Sequence, residues 1–405
     1  MTAREPPRIG LALAGGGFLG AAYELGALAA LSEAIDGLDF TRLHVYVGVS
    51  AGAFLAAGLA NGLSPHQMVR LFVESEDVED NPFDPATLLR PAYGEMRERL
   101  SQAPALLAEL AKEVRRGLLW GGVSTAVWRG LDRAAAMLPT GIVDASPAEV
   151  KLARLLSGPG RTNHFAELGC ALRIVATDID TGEAVAFGAP GLQQVPISRA
   201  VVASAAVPGL FPPVKVLGRY FVDGALNKTL HASVALHEGA DLVLCLNPLV
   251  PYNPGAGLVK PSVAGSGLGA VLTQTIRTTI RSRMTVGLEK YRVTHPRADV
   301  LLFEPRADDA TTFFTRIFSV SSRRSLCEHA YRETRSNLLA RAGELGPVFK
   351  RHGLNLNVAR LTDTHVQLVR HVPRPRPARL TALGSATRRL QHLLEDLDRL
   401  VRMSR

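Results

Sequence analysis

A serine with a glycine two residues to either side is the first place where this chain could do chemistry. Gly48-x-Ser50-x-Gly52 lies within Tyr46–Ala53, where an apolar strand runs into a helix start. Glycines at those positions let the backbone bend tightly against its neighbours and hold the serine hydroxyl above a sheet. Serine attacks an ester only with a base beside it and with donors aimed at the developing oxyanion. The spacing alone also occurs in ordinary Gly/Ala-rich turns, so the rest of the chain must supply both partners.

Candidate donors precede the serine. Arg8–Ala14 is a short apolar run that fits a buried parallel strand, and Gly15-Gly16-Gly17-Phe18-Leu19-Gly20 follows it. Ala21–Ile35 then predicts a helix. A glycine loop at a helix start leaves backbone N–H groups free to meet a negative charge. The same loop matches the dinucleotide pattern G-x-G-x-x-G, which also needs an acidic residue at the end of the next strand. Asp39 lies before that strand, predicted at Leu43–Val47, and the strand leads to the serine instead. An oxyanion loop therefore fits better than a dinucleotide site, while a loop needed only for tight helix–sheet packing stays open.

The base is sought among histidines and carboxylates. An ordinary α/β-hydrolase places its elbow after several strands and its histidine late; here the elbow follows one strand–helix unit. None of the eleven histidines has a triad context, and His164, His231 and His237 are expected at the surface or as caps. Asp223, at a strand end before Gly224-Ala225, is the better candidate, because such a turn exposes the carboxylate. A turn-capping aspartate is the plainer alternative.

The elements that must position these residues follow in order. Residues 64–160 change character, with helices predicted at Ser64–Glu74, Glu95–Leu100, Ala105–Arg115 and Val123–Leu138. Trp120 and Trp128 fall there, so the insertion reads as helices packed on the core or as a lipid-facing lid. Ala171–Asp178 predicts a strand with Ala184–Phe187 pairing back, and Ile197–Ala206 a helix broken by Val207–Val214. Lys215–Tyr220 leads into the aspartate, and Asp241–Leu246 suits a central strand. Beyond it, Gly255–Gly269 reads as a mobile loop, Ala270–Tyr291 as a helix, Val300–Phe303 as the last strand and Phe313–Ala340 as a basic helix. Pro373–Pro377 is a stiff linker. Leu383, Leu390 and Leu397 then recur at seven, which predicts a terminal helix that self-associates, lies on a membrane or packs back.

The bulk composition agrees with a globular protein: 405 residues, 47% hydrophobic, mean hydropathy +0.11. The net charge of +9 permits attraction to an anionic surface. Residues 371–405 carry eight arginines against Glu395, Asp396 and Asp398, an excess of five. No aromatic or motif support accompanies these cations, so nucleic acid is not an expected partner. Cys170, Cys245 and Cys327 fit no metal spacing and suggest reduced thiols in a cytoplasm. The apolar N-terminus is interrupted by three glycines and reads as structure rather than a signal peptide. No stretch is long and apolar enough for a membrane span.

Taken together, these motifs resemble the patatin-like phospholipase family. The glycine loop, Gly48-x-Ser50-x-Gly52 and Asp223-Gly224-Ala225 match in order, with Ala203–Pro208 and Phe211–Val214 as the approach to the aspartate. Thr177-Asp178, Thr181-Gly182 and Phe187 are also similar to the family. The resemblance covers about residues 8–250. It implies a three-layer α/β/α fold with a mainly parallel sheet, a Ser50–Asp223 dyad without histidine, and oxyanion donors from Gly15, Gly16 and Gly17. Gly20, Gly48, Gly52 and Gly224 support the motifs. The implied substrate is a lipid or other acyl ester, with no cofactor or metal; the cysteine count and the basic charge add the expectation of a cytoplasmic protein, with peripheral membrane contact left open. The organisation expected is a core at 8–250 with the 64–160 insertion, a mostly helical extension at 251–372, and a linker and helix at 373–405 able to self-associate through 380–402. The family has Arg or Lys where this chain has Leu19. It also has an Asn and a Pro shortly after the aspartate, where this chain has an early Asn227 and Leu230. A non-catalytic lipid- or partner-binding scaffold is the rival these departures suggest.

Overall fold

A computed structural model describes residues 7–74, 112, 140–255, 262–315, 320–363 and 365–369. The helices expected at 95–138, the proposed linker and the heptad segment lie outside the described residues, as does most of the 64–160 insertion.

Short apolar runs bounded by glycine become the strands. β1 (Ile9–Leu13), β3 (Val45–Val49) and β8 (Leu242–Leu246) are buried throughout and pair in parallel, with β1 in the middle. β4 (Ala171–Asp178) extends the parallel sheet beyond β3, and β9 (Asp299–Phe303) extends it beyond β8. Side chains alternate between the two faces of a strand, and the residue types follow that alternation. Leu11, Leu13, Tyr46, Leu242, Leu244 and Leu246 feed one core; Ala12, Val45, Val47, Val243 and Cys245 feed the other. Both faces are covered, as an all-buried parallel strand requires.

Helices supply the covers. α1 (Gly17–Ala34), α2 (Ala51–Ala60) and α3 (Pro65–Val69) follow the first strands, and α4 (Ser146–Leu156) and α5 (Ile197–Ser204) flank β4 in sequence. α6 (Ala232–His237) packs on the Ala/Val face together with Met284 and Tyr291 of α7 (Leu268–Thr294). α8 (Ala310–Phe314), α9 (Val320–Ala340), α10 (Ala342–Arg351) and α11 (Val358–Leu361) complete the described helices. α9 lies along α1, and a Cβ on Gly26 would sit 2.2 Å from the Cys327 carbonyl oxygen. Glycine is therefore required for the two backbones to approach so closely. Glu33 ties the same pair from the side, accepting from the Tyr331 hydroxyl and lying 3.5 Å from Arg335.

Antiparallel strands at one end bring the aspartate to the serine. β5 (Ala184–Phe187) takes one edge of β4, opposite Ile174–Thr177. β7 (Arg219–Asp223), entered through a hairpin from β6 (Val214–Val216), pairs with Ala176–Asp178. Since β5 already fills the far edge there, β7 must share the edge used by β3. Val49 opposes Val175 and Asp223 opposes Ala176, so the last residues of β3 and β7 abut end to end.

Several boundaries differ from the sequence reading. α1 begins at Gly17 rather than Ala21, with Gly17 at φ +58°, because the glycine loop winds directly into the first turn. Residues 64–74 form α3 and then a π-helical turn, Arg70–Glu74. Phe313–Ala340 is not one helix: α8 ends at Phe314 and α9 begins at Val320. Val300–Phe303 falls within β9, but it is not the last strand. β10 (Asn355–Leu356) pairs antiparallel with β2 (Ile35–Asp36), a ribbon too short to leave a period in sequence.

Candidate active site

Ser50 ends β3 and caps α2 with φ 53° and ψ −120°, one of two non-glycine residues at positive φ among the described residues. That conformation is strained for an L side chain and persists only where surroundings enforce it. Gly48 and Gly52 do so by absence. A Cβ on Gly48 would meet Gly52 O and the Ala53 Cα at 2.5 Å, and one on Gly52 would meet Ala14 O at 2.5 Å. The turn can thus fold onto itself and onto the end of β1.

A second serine holds the elbow from outside. Ser204, at the end of α5 and fully buried, accepts the Ser50 N–H at 2.8 Å and donates to Val175 O at 2.5 Å. Sequence reasoning missed it, because a serine in an Ala-rich turn carries no signal of a contact 154 residues away. Ser204→Ala would leave a buried N–H without its acceptor, at about 2 kcal/mol. Urea unfolding should show that loss.

Asp223 is buried beside Ser50. Its backbone N–H donates to Ala206 O at 2.9 Å, and its own carbonyl accepts from Thr177 Oγ1 at 3.1 Å. Its carboxylate Oδ1 accepts from Ala225 N–H at 2.8 Å, and the Ser50 hydroxyl lies beside the carboxylate. Burial pushes its pKa up to about 6, against the smaller lowering effect of these two donors. Gly224 has no room for a side chain, since a Cβ would lie 2.2 Å from Val175 O.

The glycine loop closes the site from the end of β1. A Cβ built on Gly15 would lie 3.2 Å from Ser50 Cβ and 3.4 Å from Ala225 Cβ, which places the loop beside both. Gly16 and Gly20 pack against Pro248, just past β8. No acceptor for the N–H groups of Gly15, Gly16 and Gly17 lies among the described residues. Below the loop, Glu24 is fully buried and accepts the Ala14 N–H at 2.9 Å. Burial raises its pKa well above the usual carboxyl value. Leu19 faces the main core and does not line the cavity.

Ser50, Asp223, Gly16 and Gly17 share one cavity of about 790 Å³, within the range of small-molecule sites. Leu226, Leu230, Ile276, Ile280, Met284 and Leu288 make its walls apolar, and Lys228 and Arg283 add positive charge. Among the described residues, Asp223 is the only carboxylate in the lining. The loop after Asp223 is braced without the family's proline. Arg283 donates to the carbonyls of Leu226 and Asn227 at 3.3 and 3.4 Å, and Asn227 Nδ2 donates to Gly182 O at 3.0 Å.

His164 and His237 are exposed, as expected, whereas His231 is buried at the N-cap position of α6. Burial lowers its pKa to about 4, and its Nε2 has no hydrogen-bond partner among the described residues. Among the described residues, only Asp309, His329 and Glu333 gather in a way that could hold a metal ion. They already form an ion-pair network, with Asp309 capping α8 and bound to His329 at 2.9 Å, and none lines the serine cavity.

A mainly parallel α/β sheet brings Ser50 and Asp223 into one cavity at the carboxyl end of β3, and no histidine lines that cavity among the described residues. The family model for patatin-like phospholipase matches residues 11–236, more than half of the chain, and the protein belongs to that family. Among solved structures, the chain is similar to VipD from Legionella pneumophila at 18% identity and TM-score 0.35, covering 84% of this chain and 67% of VipD. It is similar to the type III effector ExoU at 18% identity and TM-score 0.33, covering 83% of this chain and 53% of that one. A complex of full-length ExoU with SpcU from Pseudomonas aeruginosa matches at 19% identity and TM-score 0.25, with coverages of 89% and 69%. The chain therefore spans about half to two thirds of the length of these proteins.

Proposed function

We propose that this protein is a serine hydrolase of lipid acyl esters. The observation that carries the reading is that Ser50 and Asp223, brought together where β3 and β7 meet end to end, line one apolar cavity. Ser50 Oγ attacks the ester carbonyl while its proton passes to Asp223. The N–H groups of Gly15, Gly16 and Gly17, with the α2 N-terminus behind Ser50, stabilise the oxyanion. Asp223 returns the proton to the departing alcohol, leaving Ser50 acylated. Water then attacks the acyl-serine, giving its proton to Asp223, and the carboxylic acid leaves as Ser50 recovers that proton.

A carboxylate is a weaker base than imidazole, and burial makes this one stronger than usual, which favours proton transfer near neutral pH. The apolar walls suit an acyl chain, and Lys228 and Arg283 suit the phosphate of a phospholipid headgroup. A fluorophosphonate probe should label the folded protein on Ser50, located by peptide mass spectrometry, and Ser50→Ala should not be labelled. Folded protein that takes up no label would favour a non-catalytic binding scaffold.

A further inference from the structure

Resting on that reading for its purpose, we propose that the carboxyl edge of the sheet, roofed by α7, docks on an anionic lipid surface so that the cavity opens into the membrane. Of the 27 residues of α7, only Arg277 and Ile280 are fully buried. Ile276 and Val286 line the serine cavity and are also 57% and 66% exposed, so part of the apolar wall continues outward onto the surface. Leu272, one turn before Ile276, is 52% exposed on the same side. Val207 and Leu226 do the same on the loops flanking Asp223.

The β6–β7 hairpin adds a tip to this edge. Phe221 opposes Asp178, the last residue of β4, so the residues before it overhang the sheet end at which Ser50 sits. Leu217 stands at the turn with φ 48° and is 58% exposed. A leucine in that conformation at a solvent-facing turn, where Asn or Gly would be favourable, gains nothing from water.

Charge selects the occupant. Of the five basic residues of α7, Arg277 is buried and Arg281 pairs with Glu304, which leaves Arg283, Lys290 and Arg292 against Glu289; Lys228 joins Arg283 at the cavity mouth, and Lys215 stands beside the hairpin tip over the Tyr220 ring. An apolar patch set among cations fits headgroups that are negatively charged, with side chains entering between them. A partner protein would need acidic residues ringing an apolar centre; a bilayer offers that arrangement over its whole surface and also contains the substrate.

The double variant Leu217→Asn, Leu272→Glu tests the surface with side chains that do not line the cavity. Asn suits the left-handed turn, and both sites are exposed, so folding is preserved and thermal unfolding should match the parent. Against vesicles of phosphatidylglycerol and phosphatidylcholine, the variant's partition coefficient should fall by about tenfold or more, given about 1.5 kcal/mol or more per buried leucine. Ser50→Ala should bind these vesicles like the parent, and pure phosphatidylcholine should bind it weakly. Hydrolysis of monomeric p-nitrophenyl butyrate should stay within about twofold in the double variant. Unchanged vesicle binding in the variant, or equal binding to neutral vesicles, overturns the proposal. So does a parent that self-associates in sedimentation and a variant that does not, since the face would then join two proteins. A parent that binds as described yet hydrolyses no ester defeats the hydrolase reading and leaves the surface standing.

Discussion

Ser50→Ala is expected to lower hydrolysis of acyl esters by at least about a thousandfold while leaving the protein folded. The size follows from the role: without the nucleophile no acyl-enzyme forms, and only the oxyanion donors and the binding of substrate remain. Retained folding follows from the surroundings. The Ser50 hydroxyl meets Asp223, whereas the elbow is held by the Ser50 N–H on Ser204 and by Gly48 and Gly52, none of which the substitution touches. Initial rates on a soluble ester, with thermal unfolding in parallel, check both halves. Activity retained in the folded variant would remove Ser50 from the mechanism.

Asp223→Asn is expected to move activity and stability in opposite directions. Asparagine cannot accept the serine proton, so turnover should drop by about a thousandfold or more. Its amide oxygen can still accept the Ala225 N–H. The parent, by contrast, holds a carboxyl whose pKa is raised by burial from 3.8 to about 6. The folded state then binds the proton more tightly than the unfolded one, so this group's contribution is greatest below pH 4. It is lost as pH rises through 6, and a shift of that size is worth about 3 kcal/mol. At pH 8 the asparagine variant should be more stable than the parent by roughly that amount, with the difference closing toward pH 4. Urea titrations at the two pH values measure it. The same pKa sets the parent's rate profile: activity should fall as pH drops through about 6 and the base becomes protonated.

Much of this site was legible from residue types. Ser50, Asp223 and the glycine loop stand where short apolar strands end, and β1, β3, β4 and β8 read directly as apolar runs bounded by turns. What escaped depended on contacts between distant segments. Ser204 braces the elbow and Arg283 the loop after Asp223, yet each is an ordinary residue in its local context. The start of α1 escaped because glycine disfavours a helix interior, while here three glycines are needed to bring the loop beside Ser50. The β6–β7 hairpin carries no Asn-Gly or Asp-Gly signal; its turn is Leu217-Gly218. The end-to-end meeting of β3 and β7 on one edge of β4 is a property of register, which no single strand encodes. Leu19 packs toward the core and not the cavity, so that position adds no cationic side chain beside the glycine loop.

The close crossing at Gly26 bears on the order in which the protein comes into being. Ribosomal synthesis delivers the serine elbow within the first sixty residues, but two elements that fix the glycine loop arrive far later. Pro248, against which Gly16 and Gly20 rest, follows β8, and the helix that clasps α1 at Gly26 is not complete until Ala340. Domains fold as units when their last partners emerge. A nascent chain is therefore expected to carry its nucleophile long before it can use it, and hydrolytic competence arrives only when most of the polypeptide has left the ribosome.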